Sequence, residues 1–312
     1  MRVPHDGPLV TTLAGISLRS PVIAAAGTCG YTGELAQVAD VALLGAITTK
    51  SITAEPREGN DPVRIVPTRV GMLNAIGLAN MGLAAFLERE VPRVRSVPTR
   101  VIASVAGHSA AEFVAVARAL DSTGEFPALE LNVSCPNTQT GRAFAADSKA
   151  LHDLVAEVRS VVTRSRLFVK LPPDMGDSCA MALAAITAGA DALTLCNTLP
   201  GMAIDPRTRR MRLSRGVGGI SGPGIHPLIV RVVREVFTGV ARERGTPIIA
   251  LGGVTHWEDA AEFVLAGATA VAVGTALLAD PRIGGRIARG LDAWVMEQGC
   301  ERVGQLVGQA QP

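Results

Sequence analysis

An α/β chain closed into an eight-stranded (β/α)8, or TIM, barrel, with insertions over its C-terminal mouth, is predicted by three features of the sequence. Short apolar runs recur eight times, amphipathic stretches of helical period separate them, and two segments, 51–79 and 199–224, break the alternation. A chain of 312 residues, 48% hydrophobic and 19% charged, has ample material for one large core, and no internal repeat or composition shift marks a second domain. A single domain over 1–312 is therefore expected. An open doubly wound sheet is the competing architecture.

The predicted strands occupy 22–26, 46–49, 100–105, 128–133, 167–171, 192–196, 247–251 and 270–273. The first runs into a Gly-rich turn holding Cys29, and the second ends Thr49-Lys50-Ser51. The fourth, ALELNV, is stopped by Pro136, which cannot donate to a sheet ladder, so Cys135 stands at a strand's C-terminal mouth. In the fifth, Lys170 lies between Val169 and Leu171, and alternation puts it on the face opposite both. Both faces of a parallel barrel are covered, so a lysine there is costly unless it meets an anion. The sixth ends Asn197-Thr198, and the last two run out into Gly252-Gly253 and Gly274-Thr275. Helices are expected over 33–44, 110–120, 149–162, 178–188, 227–244 and 257–266, with the polar tail after Met296 as a final helix. The two long insertions are expected to form short hairpins and lids.

A formal charge of +2, with 30 basic and 28 acidic residues interspersed, gives no nucleic-acid footprint and no polybasic membrane patch. No apolar stretch approaches the roughly 18 residues of a membrane span, and MRVPHDGPLV has no signal pattern, so a cytoplasmic protein is expected. Five cysteines, without a C-x-x-C, argue against a disulfide framework, a zinc site or a resident iron–sulfur cluster. No metal site is expected.

The strand ends carry the chemistry. Cys135 is the candidate catalytic residue, because a thiol with an ordinary pKa of about 8.5 needs only modest tuning to act as a base. Lys50, Ser51, Asn132, Lys170, Asn197 and Thr198 would face one cavity and offer donors to a carbonyl, carboxylate or ring nitrogen. The Gly252-Gly253 and Gly274-Thr275 loops follow the two strands after which many barrels hold a phosphate. The sequence lacks G-x-G-x-x-G and G-x-x-x-x-G-K-[ST], so flavin mononucleotide (FMN) fits better than a dinucleotide on a Rossmann site. His226 and His256 read as surface residues at helix starts, Cys29 as structural, and Cys196 as packing or backing the cofactor.

GMLNAIGLAN, LNVSCPN, FVKL, CNTLPG, GGISGPGIHP, ALGGV and AVGTA together resemble the class 1 dihydroorotate dehydrogenases, specifically their B-type, NAD-linked branch, over nearly the whole chain. The resemblance implies oxidation of (S)-dihydroorotate to orotate in pyrimidine synthesis. It implies Cys135 as the base at C5 while C6 delivers hydride to flavin N5. It implies substrate binding by Lys50, Asn74, Ala75, Ile76, Gly77, Leu78, Asn132, Asn197 and Thr198. FMN would be held by Lys50, Ser51, Asn132, Lys170, Cys196, Gly222, Gly252, Gly253, Gly274 and Thr275, with Ala26 and Ser104 at two further flavin positions. The segment 138–146 would be a lid over Cys135. The implied partner is an FAD and iron–sulfur subunit passing electrons to NAD, in a heterotetramer built on a homodimer.

Three places depart from the family pattern. Ala26 stands for the usual serine, Ser104 for the usual asparagine, and Pro172-Pro173-Asp174 for Leu-Ser-Pro-Asn. Each of the first two removes or shortens one flavin hydrogen bond, worth about 1 kcal/mol. Rival readings are a fumarate-using A-type enzyme, a dihydropyrimidine dehydrogenase-like reductase of uracil or thymine, and a flavoprotein without catalysis.

Overall fold

The computed structural model describes residues 7–134, 144, 147–173 and 176–311. Eight parallel strands close a barrel in chain order: β1 (Val22–Ala24), β2 (Ala46–Thr48), β3 (Arg100–Val105), β4 (Ala128–Asn132), β5 (Arg166–Leu171), β6 (Ala192–Leu195), β7 (Ile248–Leu251) and β8 (Ala270–Val273). β8 pairs with β1, and β5 with β6, so no edge is left unpaired in the barrel. The doubly wound alternative is thereby excluded.

The period of two sorts each strand's side chains. Val101, Ala103, Leu129, Leu131, Leu167, Val169, Leu193 and Val271 point outward into the main core beneath the helices. Ile23, Ala46, Ile102, Ala128, Phe168, Ala192, Ile249 and Ala270 fill the interior, where small residues from four strands make room for Phe168. A hairpin of Thr11–Leu13 and Ile16–Leu18 adds Leu13 and Leu18 to this interior cluster and closes the barrel at the strands' N-terminal ends. One step further up the barrel the interior turns polar, with Thr48, Ser104, Glu130, Lys170 and Thr194 all buried. That switch from apolar to polar along the same inward face positions the site.

The two insertions are one structure. Strands Ile65–Thr68 and Gly71–Asn74 from the first pair with Leu199–Met202 and Val217–Ser221 from the second, giving a four-stranded antiparallel sheet. Leu73, Val66, Ala75 and Leu213 form its own small core.

Helices form at Ala110–Thr123, Ser148–Arg159, Ser178–Thr187, His226–Val236, where a π-turn carries the chain on to Arg244, and Trp257–Ala266. Two expectations need correction. The stretch 33–44 is two 3-10 turns, Leu35–Gln37 and Val41–Leu43, because the Asp40 side chain accepts from the Ala42 N–H and restarts the chain there. The last long helix is Ile283–Glu297, and beyond it only a 3-10 turn, Val303–Leu306, follows. Gly82–Arg89 is a further short helix, just beyond the first insertion. No helix among the described residues is long and apolar enough to cross a membrane.

Candidate active site at the barrel mouth

A chain of side-chain hydrogen bonds joins four strand ends. Ser104 Oγ on β3 lies 2.8 Å from Ser51 Oγ beyond β2, and the Asn132 amide of β4 donates to Ser51 Oγ at 3.4 Å. Asn197 Nδ2, beyond β6, donates to Asn132 Oδ1 and to Ser134 Oγ, each at 3.1 Å. The Asn197 Oδ1 in turn accepts the Thr198 N–H at 2.9 Å. With both asparagine amides oriented by neighbours, the remaining donor and acceptor edges are fixed before a ligand arrives. Ser51, Ser104, Asn132, Asn197 and Thr198 are thus brought together as the sequence suggested. Ser104 Oγ is tied into this chain, and its N–H is taken by Thr49 Oγ1 at 3.1 Å.

Lys170 projects into the barrel at 5% exposure, and among the described residues no hydrogen bond or ion pair reaches its ammonium. Its register partners are Asn132 on β4 and Thr194 on β6. Across the same strand, Thr194 Oγ1 donates to the buried Glu130 carboxylate at 2.7 Å. An unpaired buried ammonium is unfavourable, and an anion-bearing ligand above it relieves that cost. Lys50 is half-buried; burial pushes its pKa below the ordinary lysine range, and the nearby Arg64 charge adds to the effect. Two cations therefore face the same mouth.

A cradle of backbone groups lies beside them. Gly222 has φ +111°, and a Cβ there would stand 2.5 Å from the Gly71 Cα, so only glycine lets the two chains approach. A Cβ on Gly253, at φ +72°, would meet the Gly222 carbonyl at 2.8 Å. Thr275 Oγ1 donates to Ser221 Oγ at 2.7 Å, which joins the loop after β8 to the same cluster. No protein acceptor among the described residues takes the N–H of Gly222, Gly253, Gly274 or Thr275. Four free amides converging from three loops suit a phosphate.

The mouth sheet contributes Asn74, whose Nδ2 donates to the Gly219 carbonyl at 3.2 Å. Gly219 packs on Thr198, since a Cβ there would meet its Oγ1 at 1.9 Å. The next residues are turned to other work. Ala75 is in the sheet's own core, and the Ala75 and Ile76 carbonyls accept from the side chain and N–H of Asn60. Gly77 and Leu78 both have positive φ, and the Leu78 carbonyl accepts from Asn80. Of the segment 74–78, Asn74 is the residue with a side chain suited to read a ligand. Cys196 is 1% exposed and packs in the main core, its N–H held by the Leu251 carbonyl. Ala26 carries no polar side chain and leaves its position to the backbone.

Cys135 lies outside the described residues, as does the expected lid 138–146 except for Phe144. Phe144 is buried edge-on against Phe113 at 5.6 Å. Of Pro172-Pro173-Asp174, the aspartate lies outside the described residues too.

The family follows from comparison. The family model for dihydroorotate dehydrogenase matches residues 8–295. The chain belongs to the dihydroorotate dehydrogenase family. It is 44% identical over 297 residues to a protein of Trichlorobacter lovleyi named dihydroorotate dehydrogenase B (NAD(+)), catalytic subunit, covering 95% of this chain and 96% of that one. The protein of the same name from Geobacter sulfurreducens is 44% identical over 301 residues, covering 96% and 97%. A Solibacter usitatus protein named putative dihydroorotate dehydrogenase A (fumarate) is 42% identical over 301 residues, with the same coverage. A solved dihydroorotate dehydrogenase from Eimeria tenella, in complex with ferulenol, superposes with a TM-score of 0.82 at 22% identity, over 97% of this chain and 89% of that one, and supports the fold.

Sequence reasoning missed Ser134, Thr49, Glu130 with Thr194, and His226. Glu130 was within reach of the alternation argument, since it shares parity with Asn132 on one strand. His226, read as a surface residue, is 7% exposed and packed 4.6 Å from the Phe263 ring centroid. His256 is exposed, as expected.

Proposed function

We propose that this dihydroorotate dehydrogenase oxidises (S)-dihydroorotate to orotate with FMN, in pyrimidine biosynthesis, as a B-type catalytic subunit. The observation that carries the reading is the oriented chain Ser104–Ser51–Asn132–Asn197–Ser134 set beside a cradle of free amides. FMN fits the residues present: the amides of Gly222, Gly253, Gly274 and Thr275 suit its phosphate, and unpaired Lys170 suits the electron-rich edge of its ring. When bound, FMN supplies the hydride acceptor.

The chain's own residues do the rest. Orotate is a flat anion, and both it and its dihydro form have amide-like edges, so Asn74, Asn132 and Asn197 would read the ring while Lys50 offsets the carboxylate. Cys135, following Ser134 in sequence, would take the C5 proton as a thiolate. The hydroxyls of Ser51 and Ser134 hold the two asparagine amides, so their geometry is set in advance of the reaction. Electrons would leave through an FAD and iron–sulfur partner subunit to NAD, with two copies of this chain as the central dimer.

Steady-state assays separate this from its rivals. Orotate should accumulate from dihydroorotate at full rate with NAD only when the partner subunit is present. Full-rate turnover with fumarate by the isolated chain, the activity in the Solibacter relative's name, would assign the A-type instead. Turnover of dihydrouracil but not dihydroorotate would overturn the substrate.

A further inference from the structure

His226 opens the helix His226–Val236 directly after the Gly222 loop, and its ring faces two acceptors. Nδ1 lies 2.9 Å from the Gly252 carbonyl oxygen, and Nε2 lies 2.9 Å from Glu262 Oε2. A carbonyl only accepts, and a carboxylate only accepts, so satisfying both requires an N–H on each nitrogen. A neutral imidazole carries one. The residue is 7% exposed and lies edge-on against Phe263, and its bond to the Gly252 carbonyl is buried, while Glu262 reaches the ring from the solvent side.

The position matters because Gly252 directly precedes Gly253, whose amide belongs to the phosphate cradle. A Cβ on Gly253 would meet His226 Cβ at 2.8 Å and its backbone N at 3.0 Å, so ring, helix start and loop are in direct contact. We propose that His226 is a doubly donating imidazolium that clamps the Gly252 carbonyl, turns the Gly253 amide toward the cofactor phosphate, and places a positive charge behind that loop. The inference rests on the FMN reading above. His226 is a positioning residue, acting through the loop and the field. The titratable groups that face it come from the helix Trp257–Ala266: Glu262 in contact, and Asp259, whose carboxylate also accepts the Thr255 and His256 N–H groups. Phe263 supplies the remaining wall, and no other ion pair reaches the ring among the described residues.

The consequence is a cofactor grip that weakens as pH rises. The cation donates through both nitrogens, and loss of one proton removes one N–H and the charge together.

The test titrates the full-length apoprotein with FMN across pH, by quenching of flavin fluorescence, for wild type, His226→Gln and Glu262→Gln. Riboflavin serves as the probe without a phosphate. On the acid side His226→Gln should bind FMN about tenfold more weakly than wild type, and the two should converge as pH rises. The FMN phosphate's own ionisation is common to both and cancels in the ratio. Glu262→Gln, at an exposed carboxylate, should move the convergence to lower pH, and riboflavin should bind all three alike. A ratio of affinities that stays constant with pH, or an equal loss for riboflavin and FMN, would reveal packing alone and overturn the proposal. Wild-type apoprotein that takes up no FMN at any pH would instead overturn the cofactor reading beneath it.

Discussion

Lys50 and Lys170 divide the positive charge of the mouth between a half-buried rim and a buried floor. Because burial, and then Arg64, lower the Lys50 pKa, this side chain is protonated only below a pH that itself lies under the usual lysine range. An anionic substrate needs the protonated form, so KM for dihydroorotate should rise as pH climbs through that value. In Lys50→Met the rise should vanish, and about 2 kcal/mol of substrate binding should be lost at neutral pH. Lys170→Met should weaken FMN uptake at least about tenfold, measured as flavin content after purification, since among the described residues no other cation is buried on the barrel floor. Cys29 marks the contrast with a working thiol. Burial first, and Glu34 second, push its pKa up to about 12, and its Sγ donates to the Thr48 carbonyl at 3.0 Å. Native protein treated with iodoacetamide at pH 8 should leave Cys29 unmodified in a peptide map, as a structural thiol must.

Elements position these residues through a few fixed joints. Asp121, at the end of Ala110–Thr123, accepts the N–H groups of Thr163, Arg164 and Ser165 and so sets the loop that feeds β5 and Lys170. Burial raises this carboxyl's pKa, but the donors from Thr163, Ser165 and Arg164 outweigh it and hold the value below the ordinary one. Its stabilising contribution is therefore present above the unfolded pKa and lost as pH falls through the folded one. Asp121→Asn should cost about 1–3 kcal/mol in urea unfolding at neutral pH, and the difference from wild type should shrink on acidification. Gly222→Ala should empty the cradle of flavin and destabilise the mouth sheet by about 1–3 kcal/mol, because the Cβ runs into Gly71.

The element scale also shows what sequence could carry. All eight barrel strands were legible because each is a short apolar run with its own flanking punctuation, and Lys170 was legible because it interrupts one. The helix Ile283–Glu297 was not, since Gly284, Gly285 and Gly290 interrupt its side-chain pattern. In the fold they are close-approach points against Leu44, Leu43 and Trp257, which a local pattern cannot reveal. The pairing of the two insertions was hidden for the same reason: register between Asn74 and Gly219 is a contact across 145 positions. His226 looked like a surface cap because its two partners, Gly252 and Glu262, come from elements later in the chain.

At the scale of the molecule, a closed barrel brings the ends of eight strands to one face, and the insertions roof it with a sheet that neither could form alone. The sheet's open side shows Met202 beside Val217, and the hairpin next to it shows Ile204 beside Met211, all about half exposed or more. The division of labour is then a floor that supplies charge, strand ends that read a ring, and loops after β7 and β8 that grip a phosphate. The most direct test of this account mixes FMN-loaded protein anaerobically with dihydroorotate and follows the flavin's visible absorbance. Rapid bleaching in the wild type, slowed severely in Cys135→Ser with FMN still bound, is the predicted result. A flavin that dithionite bleaches but dihydroorotate leaves yellow would contradict the account, and equal rates in wild type and variant would remove Cys135 from it.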